Sequence, residues 1–305
     1  MLNRSFFISG FTTMEERFYY GGQAVIEGVM MRGQKAVVTV VRRPSGSLAV
    51  ATQPLATVYT GWMRKAPLIR GIVVLIEALA LGIKALLYSA SVSLEEEEEK
   101  ISGGLLWSMV IIALVFAVAL FFIAPLFLTK LLDPYINSSL VFHLIEGCLR
   151  IAIFIAYLKL ITLVPDLRRV FAYHGAEHKT INAYEDGAPL EVEAARKYNT
   201  AHVRCGTSFL FVVLIIAIIV FALVGLPSVW LMVLSRIILI PVIAALGYEV
   251  IYFAARHNNS LVRTILAPGL WLQSLTTREP DDSQLEVAIS ALKKVVEIDQ
   301  VEEAA

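Results

Sequence analysis

Long apolar runs constrain this chain more than any other feature of its sequence. About twenty apolar residues in a helix cross the hydrocarbon core of a bilayer, and four stretches reach that length. A soluble domain carries about 25% charged residues, whereas this chain of 305 residues is 57% hydrophobic and 17% charged. We therefore predict a mainly α-helical, multi-pass integral membrane protein with about four transmembrane helices, which are Leu105–Leu128, Leu140–Val164, Thr207–Leu226 and Val229–Ala254.

The distribution of basic residues predicts the orientation of these helices. Residues 165–206 carry six lysines and arginines, whereas the two short links at residues 130–139 and 226–228 carry one. Basic loops stay in the cytosol, so we expect residues 165–206 and both termini to be cytosolic. The formal net charge is zero, which argues against a nucleic-acid partner.

The N-terminal region has a different composition. Val37–Val41 is rich in β-branched residues, Pro44–Ser47 has the composition of a turn, and Leu48–Ala51 follows as a second short apolar run. This pattern is typical of a β-hairpin. We predict that residues 1–66 form a small β-rich cap that is cytosolic or interfacial.

Residues 67–91 are apolar but interrupted by charge. Arg70, Glu77 and Lys84 recur at intervals of seven residues, which places them on nearly the same face of a helix. Charges at this spacing favour an interfacial or re-entrant helix. A full span is the alternative.

The C-terminal region, residues 255–305, follows the predicted transmembrane domain of residues 105–254. Within it, apolar residues of the stretch Ser283–Gln300 recur at helical spacing beside acidic residues and lysines. This pattern predicts an amphipathic helix in a cytosolic tail.

A motif of the form H-x-x-E-H lies in the predicted cytosolic segment. His174 and His178 are two of only five histidines in the chain. Positions i and i+4 share one face of a helix, so their imidazoles can bind the same metal ion. Glu177 is one residue away and is our candidate for the catalytic general base. Exposed histidines without a metal are the alternative interpretation.

Zinc in a catalytic site takes three protein ligands. Glu249, on the predicted fourth span, lies about 30 Å from the start of that span and therefore near the cytosolic surface. We predict it as the third ligand, with His202 next and Cys205 as an additional candidate. Glu249 paired with Arg256 or another span, and Cys205 as a nucleophile with His202 as its base, are the alternatives.

A second polar group lies within the predicted second span. His143, Glu146 and Arg150 are spaced on one face of a helix. We expect a buried network of hydrogen bonds and ion pairs that joins spans. A pathway for a proton or an ion is the alternative.

Several motifs together resemble the bacterial YqhQ-like family, a domain of unknown function, over nearly the whole chain. The resemblance implies a multi-pass protein of the bacterial cytoplasmic membrane, which is sometimes labelled a predicted metal-dependent enzyme. The motifs that carry it are Gly21–Gly33, His174–Lys179, His202–Phe209 and Pro268–Gln273.

Two functions compete at this point. The first is a zinc hydrolase that acts at the cytosolic surface of the bilayer on a membrane peptide or a lipid-linked molecule, with a divalent metal, zinc, as its cofactor. The second is a non-catalytic membrane scaffold or regulator in which the histidines are structural.

Overall fold

The computed structural model describes residues 18–56, 62–64, 66–93, 103–225, 228–256 and 260–301. Most of this part of the chain is helical, with a small antiparallel sheet on its N-terminal side. Residues 1–17, 57–61 and 65 of the predicted cap lie outside the described residues. The strands are β1 (Gly21–Val25), β2 (Gly28–Arg32), β3 (Ala36–Arg42) and β4 (Leu48–Pro54). The helices are α1 (Ile69–Ser93), α2 (Gly103–Val118), α3 (Ala124–Lys130), α4 (Ser139–Ile161), α5 (Pro165–Glu185), α6 (Val192–Ala195), α7 (Gly206–Val224), α8 (Val229–Ile238), α9 (Ile240–Arg256), α10 (Ser260–Thr276) and α11 (Asp282–Val301).

The four strands form a meander in the order β1-β2-β3-β4, and each neighbouring pair is antiparallel. The predicted hairpin is present: β3 pairs with β4 from Ala36 opposite Pro54 to Arg42 opposite Leu48. Gly46 in the connecting turn has a φ of 87°, a left-handed conformation that glycine adopts without steric cost. The N-terminal region is therefore a continuous four-stranded sheet.

Both faces of the two central strands, β2 and β3, are buried. Met31 and Val38 pack on one face with residues of α5 and α11, whereas Met30 and Val37 pack on the other face with Leu81 of α1. Side chains alternate between the two faces along a strand, so a strand as uniformly apolar as β3 indicates a sheet that is covered on both sides. The predicted cap is therefore the middle layer of an α/β/α unit.

Apolar helices form a second part of the molecule. Within the described residues, three helices are long and apolar enough to cross a membrane, namely α1, the run Trp107–Lys130 and α7. Two bent pairs also meet this test when each pair is taken as one unit: α4 with α5, bent by 102°, and α8 with α9, bent by 47°. The predicted span of residues 229–254 is thus two helices that meet at Leu239, and that of residues 105–128 contains a π-helical turn at Ala119–Ile123.

The region predicted to be an interfacial or re-entrant helix is α1, a continuous helix of 25 residues. Its length and apolar composition also fit a span. Its C-terminal part contributes Leu81, Ala85 and Val92 to the core beside the sheet. Its N-terminal end packs against α9, where a Cβ on Gly71 would lie 2.9 Å from Ala245 Cα. α1 therefore joins the sheet to the apolar helices.

The chain after residue 255 contains two helices, although the sequence predicted one. The predicted amphipathic helix corresponds to α11, whose apolar side includes the fully buried Leu285 and Leu292. α10 continues through Pro268 and buries Leu272 among side chains of α4 and α7. Proline lacks the N–H for a helix-interior hydrogen bond, so its presence argued against a helix here.

Asp299, near the end of α11, fastens that helix to the turn between β2 and β3. Its carboxylate accepts hydrogen bonds from the backbone N–H groups of Gln34, at 2.8 Å, and Lys35, at 3.1 Å. Gly33 permits this approach, because a Cβ there would lie 2.6 Å from Asp299 Oδ2. The carboxylate thus links α11 to the sheet.

We expect Asp299→Ala to lower the free energy of unfolding by about 1–3 kcal/mol, because buried backbone donors lose their acceptor. Denaturant unfolding of the full chain in detergent micelles measures the loss. Glu297→Ala is the matched control, since Glu297 is on the exposed side of the same helix, where it pairs with Lys294. An equal loss in both variants would contradict the role of Asp299.

Candidate metal centre

The H-x-x-E-H motif lies on α5. This helix begins at Pro165, and proline suits the first turn because an N–H there would have no intrahelical acceptor. His174 and His178 are one turn apart on the same face, with their ring centroids 4.4 Å apart. The predicted motif loop of residues 165–206 therefore starts with a 21-residue helix that pairs the two imidazoles.

Two backbone carbonyls orient these imidazoles. His174 Nδ1 lies 2.8 Å from the Thr276 carbonyl oxygen, and His178 Nδ1 lies 2.5 Å from that of Thr200. A carbonyl only accepts hydrogen bonds, so each Nδ1 carries a proton and donates it. Each Nε2 is then available as a metal ligand, the arrangement found in metal-binding histidines.

Gly175 allows the chain after α10 to approach α5. A Cβ on Gly175 would overlap the carbonyl oxygen of Arg278. The Arg278 N–H donates to the carbonyl of Phe171 at 2.9 Å, which holds this segment along α5. Thr276 lies two residues earlier, so the close approach brings its carbonyl oxygen to His174.

Cys205 supplies a third donor atom. It is the N-cap residue of α7, and its Sγ accepts a hydrogen bond from the Thr207 N–H at 3.4 Å. The same Sγ lies 3.3 Å from His174 Nε2. The ligand atoms of His174, His178 and Cys205 all lie within 4.8 Å of one another. The residue predicted only as an additional ligand is therefore the one that the structure brings to both histidines.

Glu177 lies beside this cluster in a buried position. The residue is 4% exposed, and its Oε2 lies 3.4 Å from His178 Nε2. β1 covers this side, since a Cβ on Gly22 would lie 3.0 Å from Glu177 Cγ. A carboxylate in this position can exchange a proton with a molecule bound next to the imidazoles.

Glu249 does not join the cluster, which corrects the expectation that it supplies the third ligand. Its Oε1 accepts hydrogen bonds from Arg70 Nε at 2.8 Å and from the Leu68 N–H at 2.9 Å. This ion pair joins α1 to α9 and satisfies the carboxylate without a metal. The alternative partner named from the sequence, Arg256, has its side chain outside the described part of the chain.

His202 lies next to the cluster, but its side chain faces a different group. Its ring centroid is 5.5 Å from that of His178, and its Nε2 is 3.7 Å from Glu185 Oε2. Gln273 holds the backbone of His202, accepting from its N–H at 2.9 Å and donating to its carbonyl at 2.7 Å. His202 therefore belongs to the wall of the cluster and not to the set of converging donors.

Glu185 keeps a negative charge beside this wall. Burial opposes its ionisation, but the hydrogen bonds with His202 and Arg204 outweigh that effect and hold the pKa of Glu185 at about 2. Arg204 also lies 4.4 Å from the centroid of the Tyr19 ring. The guanidinium is thus fixed between an anion and an aromatic face.

The sequence reasoning missed three residues that shape the cluster. Thr200 and Thr276 act through their carbonyls, which every residue type possesses, so no side-chain pattern could mark them. Gln273 is different, because its buried amide also donates to Ser208 Oγ at 2.7 Å. Gln273 follows an apolar run in the sequence, and a polar side chain in that position indicates a specific hydrogen-bond partner.

The donor set suits zinc in its chemistry. Zinc binds imidazole nitrogen at about 2.0–2.1 Å and thiolate sulfur at about 2.3 Å. Two histidines and one cysteine would leave a fourth tetrahedral position for water or a substrate, as in catalytic zinc sites.

The fold and the cluster define a class: a mostly helical protein with apolar helices of membrane-spanning length, a small sheet and a buried group of two histidines and one cysteine. A profile of the family described as "Protein of unknown function (DUF1385)" matches residues 66–298. The chain is also 36% identical over 299 residues to the "Uncharacterized protein YqhQ" of Bacillus subtilis (strain 168), covering 93% of this chain and 94% of that relative. The chain therefore belongs to the DUF1385 family, and the YqhQ-like resemblance is confirmed. No solved structure matches it.

We expect Gly175→Ala to destabilise the protein by about 1–3 kcal/mol, because the added methyl group must displace the backbone at Arg278. Gly104→Ala is the matched control, since a Cβ on that helical glycine meets nothing within 4 Å. Thermal unfolding of both variants in the same detergent measures the difference. A melting temperature of Gly175→Ala equal to that of the control would contradict the close approach.

Proposed function

We propose that this DUF1385 protein is a membrane-embedded, metal-dependent hydrolase in which His174, His178 and Cys205 hold a zinc ion. The observation that carries the proposal is the convergence of three donor atoms within 4.8 Å. Both imidazoles also donate their Nδ1 protons to backbone carbonyls. Hydrogen bonds of this kind hold metal-binding imidazoles in position before the metal arrives.

The donor set also selects the class of metal. A thiolate with two imidazoles favours zinc or another late first-row ion, whereas magnesium and calcium prefer oxygen ligands. Cys205 sits at the N-terminal end of α7, where its Sγ accepts a hydrogen bond from the Thr207 N–H and faces the two imidazoles. Zinc, when bound, would act as a Lewis acid and lower the pKa of coordinated water to about 7.

Glu177 is the general base in this proposal. Its carboxylate is buried beside His178, where it can take a proton from the water that attacks a scissile carbonyl. It then returns the proton to the leaving group. In this proposal the three ligands would hold the metal, and Glu177 would transfer the proton.

We assign this chemistry to the cytosolic surface of the bacterial cytoplasmic membrane. Cys205 precedes α7 and Thr276 ends α10, two helices that pack in the apolar part of the molecule, whereas α5 packs on the sheet. The packing of α1 on the sheet supports an interfacial helix there. The basic residues of 165–206 favour the cytosolic side. A site at this boundary suits a membrane peptide or a lipid-linked molecule as substrate.

A thiol-dependent hydrolase is the second candidate. His174 Nε2 is 3.3 Å from Cys205 Sγ, and Thr276 orients the imidazole. This is the arrangement of a cysteine nucleophile and its base. His174 would replace His202, the base considered from the sequence, because His174 is the imidazole in contact with the sulfur.

Purified protein is expected to contain about one zinc ion per chain, measured by inductively coupled plasma mass spectrometry. His174→Ala, His178→Ala and Cys205→Ser should each lower zinc retention at least about tenfold, the lower end of the loss seen even for residues that only orient ligands. Cys148→Ser is the matched control, because Cys148 is an exposed cysteine on α4.

The zinc proposal is wrong if the wild-type protein lacks stoichiometric divalent metal, or if the three ligand variants retain the metal. The thiol candidate then predicts that iodoacetamide modifies Cys205 faster than Cys148, and that His174→Ala abolishes this difference. Slow modification of Cys205 in metal-free protein would reject the second candidate as well.

Glu177→Gln is expected to retain zinc but to lose function, because removal of a general base costs about 10²–10⁴-fold in rate. Complementation of a deletion strain and the zinc content of the purified variant measure these two effects. Glu191→Gln, at an exposed glutamate after α5, is the control. If Glu177→Gln complements as well as wild type, general-base catalysis is wrong, and a scaffold or regulator with structural histidines is favoured.

A further inference from the structure

A second group of ionisable side chains lies inside the apolar helices. His143, Glu146 and Arg150 share one side of α4, and Arg236 of α8 joins them. Each of the four is at most 1% exposed, and together they form what we term the buried charge cluster. The network predicted from the α4 spacing is present, and it includes a second helix through Arg236.

Glu146 is the centre of the buried charge cluster. Its Oε1 accepts from Arg150 Nη2 at 2.6 Å, and its Oε2 accepts from Arg236 Nη2 at 2.6 Å. Two guanidinium groups around one carboxylate strongly favour its ionised form. Glu146 therefore acts as an acceptor in its remaining contacts.

His143 lies between two acceptors. Its Nδ1 is 3.1 Å from Glu146 Oε2, and its Nε2 is 3.0 Å from the carbonyl oxygen of Gly225. An ionised carboxylate and a carbonyl cannot donate, so both contacts form only when both ring nitrogens carry protons. A proton on Glu146 instead of Nδ1 leaves the total unchanged. The geometry thus requires one proton more than a neutral imidazole and a carboxylate possess.

We infer that His143 is a proton-binding site that fastens the C-terminal end of α7 to α4. With the proton bound, the imidazolium joins Glu146 to the carbonyl of Gly225. Without it, a lone pair of the ring faces an acceptor, and one of the two contacts is lost. This inference does not depend on the proposed metal centre.

Three charged side chains face the proton on His143. Glu146 favours the bound proton, whereas Arg150 and Arg236 oppose it, because the cluster already carries one net positive charge without it. Cation–π contacts stabilise both guanidinium groups, since the Phe221 ring centroid is 5.1 Å from Arg150 Cζ and 4.3 Å from Arg236 Cζ. Imidazole is the side chain that commonly changes charge near neutral pH, so pH is the variable with which this proton is tested.

The test uses the full chain in lipid nanodiscs with ¹⁵N-labelled histidine. Ring-nitrogen chemical shifts at about pH 5 and about pH 8 report how many protons His143 carries, and His143→Gln assigns its signals. Hydrogen exchange of the backbone amides of residues 221–225, corrected for intrinsic rates, reports how firmly the end of α7 is held. Amides of β3 serve as the internal control.

We expect two ring protons on His143 at the acidic end of the range. Exchange at residues 221–225 should then be at least about tenfold slower than at the alkaline end, because hydrogen bonds to charged groups are among the stronger ones. His143→Gln should remove this pH dependence. A single ring proton throughout the range, or proton uptake that leaves this exchange unchanged relative to β3, would overturn the inference.

Discussion

The close contact between the chain after α10 and α5 is the constraint on which the candidate centre depends. Gly175 has no side chain to prevent this contact, and the hydrogen bond from Arg278 to Phe171 holds it. The Thr276 carbonyl reaches His174 as a result. Thr276 and Cys205, which are far apart in sequence, therefore both contact His174 at one turn of α5.

The sequence predicted the part of the candidate centre that a single helix, α5, supplies. His174 and His178 follow the helical period, so their shared face could be read from a spacing of four residues. Cys205 was under-ranked because its proximity arises from the start of another helix. Glu249 was assigned to the centre because an acidic residue in an apolar helix needs a partner. Only the fold could show that this partner is Arg70.

The same division applies to the fold. The turn at Gly46 and the helical spacing of apolar residues in α11 are short-range signals, so the hairpin and this helix could both be predicted. The break at Leu239 and the helix through Pro268 were not, because packing between helices overrides local preference there. The apolar run of β3 did carry the information that both faces are covered, through its lack of alternation.

α7 has one end at the candidate metal centre and the other at the buried charge cluster. Cys205 precedes its first turn, and the carbonyl of Gly225, just after its last turn, contacts His143. Its 19 residues form an uninterrupted rod about 28 Å long. The candidate metal centre and the buried charge cluster therefore lie at opposite ends of one helix, too far apart to share a ligand or to pass a proton directly between them.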